Sequence, residues 1–295
     1  MLSKCSLCPH ECKVDRTKFK LGVCKCKDKV EIALSSLHFY EEPCISGTNG
    51  SGTIFFSHCN LQCAYCQNYE ISQEGKGKEI SVEHLARLFL KQQAKGAHNV
   101  NLVSPTPYVP YIIEAISLAK ERGFKLPIIY NTSGYEKVET LQMLEGYIDV
   151  YLPDFKYMDD SLALQYSKAP NYKKIVTRAL KEMYRQVGAP ELDENGIIKK
   201  GLIIRHLILP NEVQNSKQVL KWIKENMDLG VYVSVMAQYF PCYKAKQVDK
   251  LSRKITKEEY EEVEQYMYQL PLENGYIQEL GEHEEEYVPK FDLSE

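Results

Sequence analysis

No apolar run in the chain approaches the ~18 residues that a membrane-spanning helix requires, which excludes a helical membrane protein. The opening residues, Met1 to Cys12, lack the basic-then-apolar layout of a secretory leader, so a cytoplasmic location is the expectation. Charge of one sign is not in excess: 37 Lys and Arg stand against 40 Asp and Glu, for a formal net charge of -3. That balance lacks the electrostatic footprint of a general nucleic-acid binder and points to small or neutral partners. No residue-level repeat is present.

What is there is an ordinary globular composition, 44% hydrophobic and 26% charged over 295 residues. That length suits two average domains or one α/β barrel. The 10 cysteines are unevenly placed. Cys5, Cys8, Cys12, Cys24 and Cys26 crowd the N-terminus, Cys59, Cys63 and Cys66 form a second group, and Cys44 and Cys242 stand apart. In a reducing compartment such groups are more often metal ligands or catalytic thiols than a disulfide framework.

Beyond the first cysteine group, short apolar runs alternate with helically spaced ones, the pattern of parallel strands joined by crossover helices. Strands are predicted at 53–57, 100–103, 127–130, 148–152, 202–209 and 231–236. Val82, Leu85, Ala86 and Phe89 give the first helix, ended by Gly96, and Ile112, Ala115, Ile116 and Ala119 the second, ended by Gly123. Thr256 and Glu259 have the spacing of a capping box for a late helix. Six units are too few for a closed eight-stranded barrel. The expectation is therefore an α/β fold, a partial (β/α)6 TIM-like barrel over residues 47–280. A small cysteine-rich metal-binding extension, 1–46, precedes it, and a C-terminal tail, 281–295, follows. In that tail Glu282 to Glu286 reads as a solvated surface segment, and Tyr287 to Phe291 as a stretch able to dock on the barrel.

Cys59, Cys63 and Cys66 fall on one short loop directly after the first barrel strand, where a barrel holds its reactive groups. A four-iron cluster normally takes four thiolates, so three leave one iron open to a substrate, whereas structural zinc is normally closed by four ligands. The alternative is a zinc knuckle that borrows His58 or a distant cysteine. Gly47, Gly50 and Gly52 do not have the spacing of a phosphate-binding loop and read as turn residues.

The run Cys59-Asn-Leu-Gln-Cys63-Ala-Tyr-Cys66, with an aromatic residue before the third cysteine, resembles the signature of the radical S-adenosylmethionine superfamily. Within it the chain looks most like the pyruvate formate-lyase activating enzymes and their uncharacterised homologues. The supporting runs are Cys5 to Cys12, Glu41 to Phe56, Tyr130 to Tyr135, Leu152 to Lys156 and Arg205 to Pro210. The resemblance implies a [4Fe-4S] cluster on Cys59, Cys63 and Cys66 whose open iron chelates S-adenosylmethionine. One electron then cleaves the cofactor's carbon–sulfur bond, and a 5′-deoxyadenosyl radical abstracts hydrogen from a substrate. It further implies an electron donor such as flavodoxin or ferredoxin.

S-adenosylmethionine is zwitterionic, and its ribose and amino acid ends need paired donors and acceptors. Asn131, Ser133, Asp154 and Lys156 fit that need at strand ends, with Arg205 and Gln238 as further candidates. A structural ion pair competes for Asp154, Lys156 and Arg205. Tyr65 is placed beside adenine, with simple packing as the alternative, and Asn68 as a group orienting the cluster loop. Relatives often carry Gly-Gly-Glu after the second strand. Here Ser104-Pro105-Thr106-Pro107 stands in its place, so Ser104 or Thr106 inherits the amino-group contact. His58 replaces the usual glycine before the first cluster cysteine and reads as an outward-facing strand-end residue, with a role behind the cluster as the alternative.

Cys5, Cys8, Cys12 and Cys24, with Cys26 as the spare, lie in a segment too short to build its own core, so a bound metal would hold it together. Zn2+ in a four-thiolate site is the first expectation and an auxiliary iron–sulfur cluster the second. For function, the leading expectation is hydrogen abstraction by a radical enzyme, with a glycyl radical enzyme as protein substrate. Radical modification of a small molecule or peptide is the second reading, and a zinc-binding interaction module the non-enzymatic one. A groove beside the cluster favours the first and a lidded pocket the second.

Overall fold

The computed structural model describes residues 2–272, 274–281, 289–291 and 293. Its strands are β1 (Val30–His38), β2 (Ser51–Phe56), β3 (Lys78–Ile80), β4 (Val100–Val103), β5 (Ile128–Thr132), β6 (Val150–Pro153), β7 (Glu191–Leu192), β8 (Ile198–Leu207), β9 (Tyr232–Met236) and β10 (Gly275–Ile277). The helices are α1 (Pro43–Ser46), α2 (Tyr69–Ser72), α3 (Val82–Ala94), α4 (Val109–Glu121), α5 (Val138–Met143), α6 (Asp160–Ser167), α7 (Tyr172–Val187), α8 (Val213–Asn226) and α9 (Lys257–Gln269).

The main sheet runs in the order β10-β9-β8-β6-β5-β4-β2-β1-β3, with β7 beside β8. From β2 to β10 the neighbours are parallel, while β1 pairs antiparallel with β2 and β3. The path does not close, so the expected partial barrel of six crossover-linked strands is present as β2, β4, β5, β6, β8 and β9. These strands are legible as apolar runs because both of their faces are covered: every residue of β2, β4, β5 and β6 is buried.

The helices stop where their sequence says they should. Gly96 and Gly123 each follow a helix by two positions with φ of 80° and 90°, a left-handed conformation that glycine adopts without a Cβ clash. The capping box of Thr256 and Glu259 is formed at the start of α9. Strands β1, β3, β7 and β10 were not anticipated. β1 lies inside the cysteine-rich 1–46 segment and extends the sheet along β2, from Ile32 opposite Phe56 to His38 opposite Ser51. From the tail, Phe291 packs edge-on against Phe55, ring centroids 5.5 Å apart. Glu282 to Glu286, Tyr287 and Val288 lie outside the described residues. No helix among the described residues is long and apolar enough to cross a membrane.

Candidate functional site

The loop carrying Cys59, Cys63 and Cys66 leaves the carboxyl end of β2 and is fixed on several sides. Its backbone donates from Gln62 N to Ser167 O at 3.1 Å and from Ala64 N to Tyr166 O at 2.7 Å, which ties it to the end of α6. The Asn60 amide donates to Tyr135 O at 2.6 Å, the His10 ring donates to Asn60 O at 2.8 Å, and Gln73 Nε2 donates to Cys63 O at 2.8 Å. A loop held from three directions keeps its sulfurs in place before any ligand arrives. Burial pushes the Cys59 and Cys66 thiols up to about 12 and raises Cys63 as well, so the sulfurs keep their protons until a cation lies among them.

Among the described residues, no three or more His, Cys, Asp or Glu side chains are gathered as ligands of a single metal ion. A cubane is less demanding, because each thiolate binds a different iron. His58, just before the first cysteine of the loop, is engaged through one ring nitrogen. Contrary to the outward-facing expectation, its ring is buried and lies 3.0 Å from Glu31 Oε2, at a φ of 68° that turns the chain into the loop.

A cavity of about 230 Å³ opens at the carboxyl ends of the barrel strands. Cys63 and Cys66 border it together with Tyr65, Asn68, Ser104, Asn131, Ser133, Asp154, Lys156, Arg205 and Gln238. The fold thus brings these residues from six separate segments to one mouth. Cys59 and Thr106 do not border it. Thr106 is buried and its hydroxyl donates to Glu136 Oε1 at 2.5 Å, so that side chain faces away from the cavity. The Tyr65 hydroxyl is engaged with that of Tyr157 at 2.6 Å, and its ring packs against Tyr239.

The charged floor of the cavity is a connected network. Lys156 Nζ meets Asp154 Oδ2 at 2.6 Å, and the other Asp154 oxygen lies 3.6 Å from Arg205 Nε. Arg205 Nη1 meets Glu41 Oε2 at 2.8 Å and lies 3.9 Å from Glu42 Oε2, while Asn101 Nδ2 donates to Glu41 Oε1 at 2.8 Å. Burial works to lower Lys156, but the Asp154 carboxylate outweighs it and the ammonium is held charged. Burial raises Glu42 against the pull of Arg205. The ion pairs anticipated as the structural alternative therefore exist, and they also turn both signs of charge toward the cavity. Glu41 and Glu42 were missed as site residues; two adjacent acids just before Pro43 were the available signal.

Glu136 was missed too. Burial lifts its carboxyl to about 7, against the lowering effect of the Thr106 and Thr132 hydroxyls. A folded pKa raised above the usual 4.5 means that the native state holds this proton longer, so stability falls as pH rises from 4.5 through 7. The shift corresponds to about 3 kcal/mol at pH 8. Glu136→Gln should flatten that slope, which urea titrations at pH 5 and pH 8 would measure; an unchanged slope contradicts the assignment.

At the other metal candidate, Cys5, Cys8, Cys12 and Cys24 border one small enclosed cavity of about 10 Å³, and Cys26 lies aside with its sulfur 3.6 Å from Tyr108 Oη. Gly22 leaves room for Cys12: a Cβ there would approach its Sγ to 2.8 Å. Arg16, 1% exposed, borders the same cavity and donates to the carbonyls of Lys27 and Pro107. It forms no ion pair with a described carboxylate. Burial works to lower it, but the sulfurs of Cys26, Cys24 and Cys5 raise it overall.

Comparison with known proteins gives the same picture. The family model described as the radical SAM superfamily matches residues 53–223. The uncharacterized protein MJ0674 of Methanocaldococcus jannaschii is 32% identical over 276 residues, covering 90% of this chain and 73% of that protein. The pyruvate formate-lyase-activating enzyme of Clostridium pasteurianum is 26% identical over 121 residues, 39% of this chain and 50% of that protein. Among solved structures, Streptococcus suis SuiB bound to S-adenosylmethionine superposes with a TM-score of 0.52 at 17% identity, over 79% of this chain and 50% of that one. The FeFe-hydrogenase maturase HydG of Carboxydothermus hydrogenoformans gives 0.50 at 15% identity, over 79% and 55%. The chain spans about half the length of these solved structures, and at such identities they speak for the fold alone. The matched segment runs from the first barrel strand through the cluster loop to α8, so the chain belongs to the radical S-adenosylmethionine superfamily.

Proposed function

We propose that this chain is a reductive radical enzyme that abstracts hydrogen from a peptide or protein, with a glycine of a glycyl radical enzyme as the specific target. The observation that carries the substrate class is the groove beside the cluster loop. The cavity at the barrel mouth adjoins a second one of about 600 Å³, and the two share Gln67 and Pro289. Tyr69 and Tyr243, stacked at 4.7 Å, and Phe240 line the larger space. An extended segment of polypeptide could enter along those aromatic faces and present one residue to the inner cavity, whereas a lidded pocket would suit a small molecule.

Cys59, Cys63 and Cys66 would hold the [4Fe-4S] cluster, and the bound S-adenosylmethionine supplies the 5′-deoxyadenosyl radical once an electron arrives from a donor such as flavodoxin or ferredoxin. The residues present fit the cofactor. Lys156 and Arg205 can meet its carboxylate, Asp154 its ammonium, and Asn131, Ser133 and Gln238 offer neutral donors and acceptors for the ribose. Arg205 Nε, at the cavity, is buried without a hydrogen-bond partner among the described residues, as expected of a floor that is completed by a ligand. Asn68 and Ser104 would brace the cofactor from the cluster side.

The test uses glycine-containing peptides deuterated at the α-carbon, incubated anaerobically with reduced enzyme and S-adenosylmethionine. Deuterium in 5′-deoxyadenosine supports the reading; label acquired only from small molecules overturns it in favour of the second.

For the N-terminal cysteines the proposal remains a metal–thiolate centre, Zn2+ or an auxiliary iron–sulfur cluster. A buried guanidinium with no carboxylate partner needs a counter-charge, and thiolates held by a metal provide it. Protein with Cys59, Cys63 and Cys66 all changed to alanine, purified without oxygen, should still contain zinc or iron, and adding Cys8→Ala should remove it. Elemental analysis that finds neither metal contradicts the proposal.

A further inference from the structure

The Cys63 sulfur lies at the end of a buried chain of three hydroxyl groups. Ser167 Oγ is 3.0 Å from Cys63 Sγ, Tyr157 Oη is 2.7 Å from Ser167 Oγ, and Tyr65 Oη is 2.6 Å from Tyr157 Oη. Ser167 and Tyr157 are fully buried and Tyr65 is nearly so. Ser167 and Tyr157 do not border the cavity at the barrel mouth, while Tyr65 does, with its hydroxyl engaged by Tyr157.

Proton count fixes the direction of the chain. A thiolate bound to iron carries no proton and only accepts, so Ser167 must turn its one proton to the sulfur. Ser167 then accepts from Tyr157, which in turn accepts from Tyr65. Three aligned O–H dipoles therefore point their positive ends at one cluster ligand. In a water-free interior such dipoles reinforce one another.

The chain is also rigidly held. Ser167 is the last residue of α6, and its carbonyl accepts from Gln62 N in the cluster loop, so the hydroxyl cannot drift from the sulfur. Tyr157 packs edge-on against Tyr172, ring centroids 5.4 Å apart, and Tyr65 against Tyr239 at 5.9 Å. By contrast, the Cys66 sulfur meets one hydroxyl, Ser72 Oγ at 3.2 Å.

We infer that Tyr65, Tyr157 and Ser167 are positioning residues that set the reduction potential of the cluster through Cys63. Reduction adds one negative charge to the cluster, and hydrogen bonds to its sulfurs stabilise that charge, which moves the potential upward. The chain thereby brings the cluster closer to the reach of a biological donor. This inference rests on Cys63 being a cluster ligand, a point that iron content and visible absorption establish separately from the potential.

The experiment is a dye-mediated redox titration of reconstituted holoenzyme, followed by electron paramagnetic resonance of the reduced cluster, without S-adenosylmethionine. Ser167→Ala should load iron normally and hold about tenfold less reduced cluster at a given potential, a downward shift of 59 mV for one electron. Tyr157→Phe, which keeps the serine but removes the proton that polarises it, should move the midpoint in the same direction by a smaller amount, and Tyr65→Phe by less again. A wild-type midpoint in iron-loaded Ser167→Ala overturns the inference, as does a wild-type midpoint in Tyr157→Phe. Iron that fails to load into the unmutated protein would instead overturn the cluster assignment.

Discussion

Protein carrying Cys66→Ala should bind little iron, lack the broad visible absorption of an iron–sulfur cluster, and release 5′-deoxyadenosine from S-adenosylmethionine only at the uncatalysed background. The loop carries three thiols and no fourth, and the Cys242 thiol donates to Tyr65 O at 3.4 Å. The fold should survive. The loop is anchored by its backbone to Ser167 and Tyr166 and by Asn60 to Tyr135, and none of these bonds involves the Cys66 sulfur. Circular dichroism matching the apo wild type, with no cluster, is the expected pair of results. Full iron loading and unreduced turnover in this variant would contradict the role of the loop.

Arg205→Met should be the most destabilising single change at the site. Removing the guanidinium leaves Glu41 and Glu42 buried without their cation, and unpaired buried charges cost about 3–5 kcal/mol. The loss should depend on pH. Burial already holds the Glu42 carboxyl above its ordinary value against the pull of Arg205, and without the guanidinium it rises further, so the native state binds more protons and stability increases as pH falls through the folded value. Urea titrations should therefore show a deficit at pH 8 that shrinks at pH 5. Arg205→Lys, which keeps the charge and loses the forked geometry, should lie between the two. A deficit that does not change with pH would show that packing, not charge, is what Arg205 supplies.

The parts of this molecule that could be read from sequence are those with a local signature. β2 ends in the apolar run Ile54-Phe55-Phe56, all of it buried, and the cluster loop announces itself because metal ligands on one loop must keep fixed spacing. The parts that could not be read depend on distant partners. Glu41 is 164 residues from Arg205, and nothing near either residue reveals the pairing. Thr106 had the right chemistry for a cofactor contact, but Glu136, 30 residues on, takes its hydroxyl. His58 looked exposed at a strand end until β1, unseen in the cysteine-rich segment, brought Glu31 beside it. β10 is three residues long and takes its place only by pairing with β9.

The most direct test of the whole account is the fate of S-adenosylmethionine on the reduced holoenzyme. Anaerobically reconstituted protein, treated with dithionite and the cofactor, should yield methionine and 5′-deoxyadenosine in equal amounts. A fully loaded, fully reduced cluster that leaves S-adenosylmethionine intact would contradict it.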